Sequence, residues 1–383
     1  MQSADKSSAQ SATLGDYHVG NILTPRLTGI HGHMLDTSES GTTIRVRIDK
    51  IITRTLSCAL AVRLVEGSDQ LQEAGSLLFL KLFDRRFSKQ LRRNGGIDPW
   101  TQDKESAYVQ SIQNGSVNQF LNNLHTVPRF RIDTEEDWDD AENEAFLADE
   151  SLRLFTTEYT AYDRLSNHQG RSIPRLVAAV DIDIAPPSPG LAPTAEGDFE
   201  PFKVKGIILQ YLEGLNLWDI VKHCPRSSWQ GIVDQAVDIT RMLGEYGILN
   251  RDVRPENFIV VPAAPATHGQ DQETRYRVFM VDLALCKFRE EYESFAQWGM
   301  AKETKNEDGA VGLRMQKRLK MDHDFDLKFE SSLAYAQWGD TRETDESFMA
   351  IAIKEVVRPG EVSYTHPKFY KPQKKLAVEC GKQ

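Results

Sequence analysis

Apolar and polar residues alternate after residue 43, and this alternation is typical of half-buried strands. Ile44, Val46 and Ile48 are separated by charged residues, and a period of two predicts a strand with one buried face. Two apolar runs, at 58–65 and 77–83, predict further strands. Together these segments predict that the fold begins with an antiparallel meander.

A helical period replaces the strand pattern between residues 146 and 165. Apolar side chains recur there every three or four residues, which predicts an amphipathic helix. An acidic run at 134–144 precedes this helix, and a basic run lies upstream at 85–93. The two runs could pair with each other, but blocks of like charge are usually solvated. We therefore expect two solvated faces.

The second half of the chain predicts more strands around another helix. Apolar runs at 173–180 and 206–211 predict two strands, and a helical period covers 228–246. Segments 258–261 and 276–281 flank a polar loop and predict a hairpin-like strand pair. The first 40 residues are polar, rich in Ser, Gly and Thr, and are expected to be mostly disordered.

Composition and charge exclude several classes of protein. The net charge of −10 disfavours nucleic acid as a partner, because phosphate backbones select basic surfaces. No apolar run approaches the roughly 20 residues of a membrane helix, and the N-terminus lacks the apolar core of a secretory signal. The four cysteines form no Cys-x-x-Cys pair, so neither a disulfide framework nor a zinc site is expected. An intracellular protein, cytoplasmic or nuclear, is the expectation.

The strongest chemical signal is the segment Ile-Leu-Asn-Arg-Asp-Val-Arg-Pro-Glu-Asn at 248–257. It places Asp252 and Asn257 five residues apart on a loop, and a later apolar strand ends at Asp282. Phosphoryl transfer needs metal ions on the phosphates, a carboxylate facing the attacking hydroxyl and positive charge on the transferred group. Asp252, Asn257, Asp282 and Arg254 offer that set.

This segment resembles the protein-kinase catalytic loop His-Arg-Asp-Leu-Lys-Pro-Glu-Asn, and Asp282 stands where the kinase motif Asp-Phe-Gly begins. The matching residues are Arg251, Asp252, Pro255, Glu256 and Asn257. Asn250 replaces the His, Val253 replaces Leu, and Arg254 stands where serine/threonine kinases carry Lys. The second motif reads Asp-Leu-Ala, so its Asp alone is retained.

The resemblance implies a role for each residue. Asp252 would be the catalytic base, and Asn257 and Asp282 would hold Mg²⁺. Arg254 would contact the transferring phosphate of ATP, and Arg251 would brace the loop.

Kinases also need a strand lysine on the nucleotide phosphates and a helix glutamate that orients it. Lys81 is the one lysine inside the apolar run 77–83, where a charge is costly unless paired. Glu158 lies in the helical pattern as the helix glutamate of a kinase would, so we expect the two to pair despite the long insertion between them. Adenine would then meet backbone groups of the hinge around Gln210, Tyr211 and Leu212.

The expected fold class is α+β, a two-lobed kinase-like fold with an antiparallel small-lobe sheet and a reduced helical large lobe. After the disordered residues 1–40, the small lobe would span 41–210, with an insertion at about 88–145. The core of the large lobe, with the catalytic loop, would span 211–300. A divergent C-terminal segment would follow at 301–383.

The sequence departs from the kinase pattern in three places. The turn at 52–57 lacks the glycines that let backbone approach phosphate closely. No Ala-Pro-Glu follows Asp282, and the polar stretch after Phe288 shows no long apolar helix. With these departures, the chain resembles the divergent kinase-like proteins of filamentous fungi.

Three functions stay open at this point. The first is ATP- and Mg²⁺-dependent phosphoryl transfer to a protein Ser or Thr hydroxyl, with weak activity. The second is a pseudokinase scaffold, with or without bound nucleotide, whose partner is another protein. The third is a small-molecule phosphotransferase, although such enzymes usually have Gly where Arg251 stands. The oligomeric state is left open.

Overall fold

The computed structural model describes residues 17–30, 41–67, 71, 75–184, 200–263 and 275–335. These residues form two compact units, divided between Glu213 and Gly214. Each unit is described by itself below.

The first unit is built on a seven-stranded antiparallel sheet with the order β1-β3-β4-β5-β7-β6-β2. The strands are β1 (Ile22–Leu23), β2 (Arg26–Ile30), β3 (Arg45–Arg54), β4 (Cys58–Glu66), β5 (Leu77–Leu82), β6 (Leu176–Asp183) and β7 (Lys203–Gln210). The strands predicted from the alternation and from the apolar runs are confirmed, with bounds shifted by a few residues.

Strands β1 and β2 lie at opposite edges of this sheet, although two residues separate them in the chain. The chain can bridge the edges because the sheet curls on itself. The amide of Leu27 donates to Thr42 O at 2.9 Å, and the amide of Ile44 donates to Pro25 O at 2.9 Å. The curled sheet encloses an apolar core that includes Leu27, Ile44, Ile48, Leu60, Leu80 and Val180.

The expected disorder of residues 1–40 is wrong for residues 17–30, which supply both edge strands. Leu23 and Leu27 are 3% and 0% exposed, so this segment buries apolar surface in the sheet core. Strands of two and five residues are too short to show a period in the sequence. The remaining residues of 1–40 lie outside the described ranges.

Helices fill the insertion between β5 and β6. They are α1 (Lys89–Asn94), α2 (Gln102–Gln113), α3 (Ser116–Thr126), α4 (Phe130–Thr134) and α5 (Asp140–Arg164). The predicted helix at 146–165 is therefore longer than expected. It begins at Asp140 because Asp139 and Glu142 form a reciprocal capping box, in which the Glu142 amide donates to Asp139 Oδ1 at 2.9 Å.

The basic and acidic runs meet, so the expectation of two solvated faces is wrong for Arg85, Arg92 and Glu144. Arg85 and Arg92 from the basic run both donate to the Glu144 carboxylate from the acidic run. All three residues are buried. Buried charges must be paired, and here each run supplies the partner of the other.

The second unit combines short strands with longer helices. Its strands are β8 (Leu215–Asn216), β9 (Ile248–Asn250), β10 (Phe258–Pro262), β11 (Tyr276–Met280) and β12 (Cys286–Phe288). Its helices are α6 (Ile220–His223), α7 (Trp229–Glu245), α8 (Phe295–Lys305) and α9 (Glu307–His323). The predicted strand pair is confirmed as β10 and β11, and β9 pairs with β12.

Helices α8 and α9 follow Phe288, where the sequence shows no long apolar helix. Val311, Met315 and Leu319 of α9 recur every four residues and are fully buried, and α9 packs against α7. Charged residues surround this apolar stripe, so its helical period is weak in the sequence. The boundary expected at 300 and 301 falls inside α8.

The α+β fold class is confirmed by these elements, with an antiparallel sheet and one long helix in the first unit and a mainly helical second unit. Among the described residues, no helix combines the length and apolarity that crossing a bilayer requires.

Candidate active site

The candidate residues fall in both units. The first unit holds Lys81, Glu158, Gln210, Tyr211 and Leu212, and the second holds Asp252, Arg254, Asn257 and Asp282. The geometry of each group is given within its own unit.

Lys81 lies on the outer side of β5, where α5 brings Glu158 to it. Its neighbours Leu80 and Leu82 point into the core of the sheet, so strand alternation turns Lys81 to the opposite face. Lys81 Nζ donates to Glu158 Oε2 at 2.6 Å. The two side chains are 7% and 1% exposed. The predicted pairing across 77 residues of chain is confirmed.

A buried ion pair of this kind is weak evidence for a purely structural role. Apolar residues of similar volume often replace such a pair without loss of stability, because desolvation opposes the Coulombic attraction. Burial of the Lys81–Glu158 pair is therefore weak evidence that the pair is present for stability alone.

The hinge residues come at the end of the first unit. Gln210 ends β7, and its amide donates to Arg175 O at 2.9 Å. The Gln210 side-chain oxygen accepts from the Arg175 amide at 3.3 Å. Tyr211 and Leu212 follow the strand and are half-buried. Their contact with adenine stays a prediction.

In the second unit, the turn Pro255–Asn257 brings three candidate side chains together. Asn257 Nδ2 donates to Asp252 O at 2.8 Å and to Asp252 Oδ2 at 3.1 Å. Arg254 Nη2 lies 3.3 Å from Asp252 Oδ2, and Arg254 Nε donates to Asn257 Oδ1 at 3.3 Å. The Asp252 side chain is 30% exposed, so its carboxylate is open to solvent.

Asp282 follows β11 at the point where this strand leaves its pairing with β10. The Val281 amide donates to Asn257 O at 2.8 Å, which places Asp282 one residue beyond the contact with the loop. The φ angle of Asp282 is +66°. Residues other than glycine seldom adopt this left-handed conformation. Such conformations occur preferentially at functional sites, which supports a role for Asp282.

Asn250 connects these segments, a role that sequence reasoning missed because it appeared as a departure from the kinase His. Its Oδ1 accepts from the Asp252 amide at 2.9 Å, and its Nδ2 donates to Asp282 O at 3.4 Å. Asn250 is 1% exposed. One buried side chain thus fixes the loop relative to Asp282.

A second missed group, Glu307 with Lys302, supports β9 from the C-terminal helices. Glu307 Oε1 accepts from the Asn250 amide at 2.8 Å, and Lys302 Nζ donates to Ile248 O at 3.2 Å. Lys302 also pairs with Glu307. Burial raises the pKa of the Glu307 carboxyl above its ordinary value, opposed by the Lys302 charge. The C-terminal segment that was expected to be divergent therefore supports β9, which leads into the candidate catalytic loop.

The turn between β3 and β4, where the sequence lacks glycines, is bonded to the start of the insertion. Ser88 Oγ donates to Leu56 O at 3.1 Å, and the Gln90 amide donates to Thr55 O at 3.1 Å. At its base, Arg54 Nη2 donates to Tyr17 O at 2.6 Å. These bonds fix the turn and engage two of its carbonyl groups.

The donor set in the second unit suits a hard cation that a nucleotide shares. Mg²⁺ is usually bound by one or two carboxylates together with substrate phosphates and water. The Asp282 carboxylate is such a ligand, and Asn257 Oδ1 is an amide oxygen that accepts from Arg254 Nε in this structure. Within the described ranges, no cluster of three or more His, Cys, Asp or Glu residues could hold a metal ion. The residues fit a metal that arrives with phosphate.

No protein-family model and no curated protein matches the sequence. Among solved structures, the Rio2 kinase–ADP/Mg²⁺–phosphoaspartate complex from Chaetomium thermophilum aligns with 79% of this chain, at 10% identity and a TM-score of 0.41. A second structure of Rio2 kinase from the same organism aligns with 76% of this chain, at 10% identity and a TM-score of 0.41. WaaP in complex with acyl carrier protein aligns with 42%, at 17% identity and a TM-score of 0.26.

These alignments span 65%, 60% and 58% of the three matched chains, less than two-thirds of each. Their scores and identities are too low to say anything about activity, so a function has to be argued from the geometry of this chain.

Proposed function

We propose that this chain is an ATP- and Mg²⁺-dependent phosphotransferase with a protein-kinase-like fold. The observation that carries the proposal is the buried contact of 2.6 Å between Lys81 and Glu158. Kinase chemistry requires this lysine–glutamate ion pair, together with the metal-binding aspartate. An inserted helical region separates the two residues in the chain, and the fold still brings them together.

In this proposal each group has one task. Lys81, oriented by Glu158, binds nucleotide phosphate, and backbone groups at Gln210, Tyr211 and Leu212 bind adenine. Asn257 and Asp282 hold Mg²⁺, which neutralises charge on the phosphates. Arg254 Nε bonds Asn257 Oδ1 at 3.3 Å, so a metal ion at Asn257 would replace this bond and release Arg254 toward the phosphate.

Asp252 is the proposed base, and the proposed acceptor is a Ser or Thr hydroxyl of another intracellular protein. Arg254 supports this acceptor because it supplies a cation where serine/threonine kinases carry Lys. Activity is proposed to be weak, below the ~1–100 s⁻¹ of ordinary kinases. The turn between β3 and β4 is the reason, since it lacks glycine and is held by Ser88. Phosphates without close cover stay wetter, and water weakens electrostatic stabilisation.

A pseudokinase scaffold is the second candidate, and the same fixed turn favours it. Residues at the start of the insertion donate hydrogen bonds to the carbonyl groups of Leu56 and Thr55. Other residues of the same protein therefore hold this turn in place. A small-molecule phosphotransferase is disfavoured by Arg251, because those enzymes usually have Gly there. The narrower resemblance to fungal kinase-like proteins stays a prediction.

Nucleotide binding is tested by thermal unfolding with ATP and Mg²⁺ together. A ligand at 100 times its Kd stabilises the folded state by about 2.7 kcal/mol, and each kcal/mol raises the Tm by about 2–4 °C in a domain of 150–250 residues. We expect such a rise for the wild type, its loss in Asp282→Asn and with EDTA, and its retention in Asp238→Asn. Asp238 is an exposed aspartate of α7 and serves as the matched control.

Each alternative has its own result in this experiment. If the folded wild type shows no rise in Tm at millimolar ATP and Mg²⁺, the remaining candidate would be a pseudokinase scaffold that binds no nucleotide. A shift that survives Asp282→Asn would show that Asp282 does not hold the metal.

A further inference from the structure

Helix α5 is held by buried ion pairs at two places. Glu158 pairs with Lys81, and fourteen residues earlier Glu144 pairs with Arg85 and Arg92. At 1.5 Å per residue the two glutamates are about 21 Å apart along the helix, and fourteen residues make nearly four turns. The two anchors therefore lie on nearly the same side of one rigid element.

The anchor at Glu144 is a closed network of two arginines and two glutamates. Arg85 Nη1 donates to Glu144, and Arg85 Nη2 donates to Glu105 Oε2 at 2.7 Å. Arg92 Nη2 donates to Glu144 Oε2 at 2.9 Å. Trp100 Nε1 completes the network by donating to Glu105 at 2.7 Å. The four charged residues are between 0% and 8% exposed, and their charges balance.

The chain links the two anchors on the sheet side as well. Arg85 follows Lys81 by four residues, just after β5 ends at Leu82. One short stretch of chain thus contacts α5 near both ends, through Lys81 at Glu158 and through Arg85 at Glu144.

Apolar packing fixes the same half of α5 to the insertion. Phe146 and Leu147, directly after Glu144, belong to a buried cluster with Tyr108, Val117 and Phe120 of helices α2 and α3. A helix held at one point can rotate or tilt about that point. A helix held near both ends has both its distance from the sheet and its rotation about its own axis fixed.

We propose that Glu144 is a positioning residue for the Lys81–Glu158 pair, and that the insertion is the element that holds it. The contacts of Arg85 and Arg92 with Glu144 fix the distance of α5 from the sheet and its rotation about its own axis. In this position Glu158 reaches Lys81. The inference deepens the proposed function and rests on it, because the pair is what nucleotide chemistry requires. The geometry it asserts can be tested without nucleotide.

The test compares Glu144→Gln with Glu105→Gln. Both changes remove one carboxylate from Arg85, but Glu144 lies on the helix that carries Glu158, whereas Glu105 lies on α2. The readout is the rate at which an amine-acylating reagent labels Lys81 in the folded protein, measured by mass spectrometry of the Lys81 peptide. We expect labelling to rise about tenfold in Glu144→Gln as local opening becomes populated, and to stay near the wild-type rate in Glu105→Gln.

Equal rises in both variants would show general loosening and overturn the proposal, as would an unchanged rate in Glu144→Gln. If Glu144→Gln does not fold, Arg92→Lys keeps the charge but loses the two-pronged geometry. A smaller rise is then expected, and an unchanged rate overturns the proposal.

Nucleotide supplies a second readout, which separates this inference from the proposed function. If the wild type transfers phosphate from ATP with Mg²⁺, Glu144→Gln should raise KM for ATP by a larger factor than it lowers kcat, and Glu105→Gln should change neither. If the wild type binds no nucleotide, the proposed function fails, and Lys81 labelling still decides whether Glu144 positions the pair.

Discussion

Replacing Lys81 by Met should destabilise the first unit by an amount that the burial of its partner determines. Glu158 is fully buried, so Lys81→Met leaves a carboxylate in the interior without the ammonium that now lies 2.6 Å away. Breaking a buried ion pair from one side costs about 3–5 kcal/mol. The double variant Lys81→Met with Glu158→Met removes both charges and keeps similar volume. It should therefore be less destabilised than Lys81→Met, since the desolvation penalty disappears with the pair.

Native-state hydrogen exchange measures these free energies in the unit concerned. Peptides that cover β5 and α5 report the opening free energy of the first unit, whatever the second unit does. Asp133→Asn is the control, because the Arg129–Asp133 pair in the same unit is exposed, at 70% and 55% of the side chains. Exposed pairs contribute about 0–1 kcal/mol, so this variant should exchange nearly as the wild type does.

A cost of Lys81→Met as small as that of Asp133→Asn would contradict the prediction. So would a double variant that costs as much as Lys81→Met and Glu158→Met added together, because the two charges would then act independently.

Three further predictions concern stability, two in the first unit and one in the second. Hydrogen bonding to Asp149 raises the pKa of His125, so the contribution of this pair is complete below the ordinary His pKa and is lost as pH rises through the raised value. Since the His125 side chain is 55% exposed, the loss between pH 6 and 8 should be at most ~1 kcal/mol. Urea unfolding should show it in the wild type and not in His125→Gln, and a loss that persists in the variant would assign it to another group. Gly206→Ala should cost about 1–3 kcal/mol by overpacking, because its Cβ would lie 2.7 Å from Leu82 Cδ2 and 2.9 Å from Lys81 O. Gly231→Ala at an exposed position of α7 should stabilise by up to ~1 kcal/mol, since nothing beyond the helix backbone lies within 4 Å of its Cβ. Equal effects of both alanines in hydrogen exchange would contradict this difference in packing.

The candidate catalytic loop could be predicted because its chemistry is local in the sequence. Asp252, Arg254 and Asn257 lie within six residues, and their contacts are made inside one turn. The pairing of Lys81 with Glu158 could also be predicted, although it spans the insertion, because a lysine in an apolar strand needs a partner and the kinase resemblance pointed to Glu158 as the helix glutamate.

The features that could not be predicted from the sequence depend on contacts between polar segments that lie far apart in the chain. Arg85 and Glu144 each lie in a charged run, and charged runs are solvated by default. Nothing in their spacing shows that they are buried together. Asn250 and Glu307 are joined through a backbone amide, and this contact leaves no pattern in the side chains.

The edge strands and helix α9 could not be predicted for another reason, which is the weakness of their apolar period. Strand β1 has two residues, and α9 carries one narrow apolar stripe among many charges. Both depend on tertiary burial, which periodicity alone does not reveal.

Phosphate transfer from γ-labelled ATP is the most direct test of the proposed function. The wild type and Asp252→Asn are incubated with ATP, Mg²⁺ and generic Ser/Thr acceptor proteins, and ATP binding is measured in parallel. General-base catalysis contributes about 10²–10⁴-fold, so we expect slow transfer by the wild type, a loss of at least ~100-fold in Asp252→Asn, and nearly equal ATP binding. Transfer that persists in Asp252→Asn would place the chemistry elsewhere, and bound ATP without transfer by the wild type would make the chain a nucleotide-binding pseudokinase.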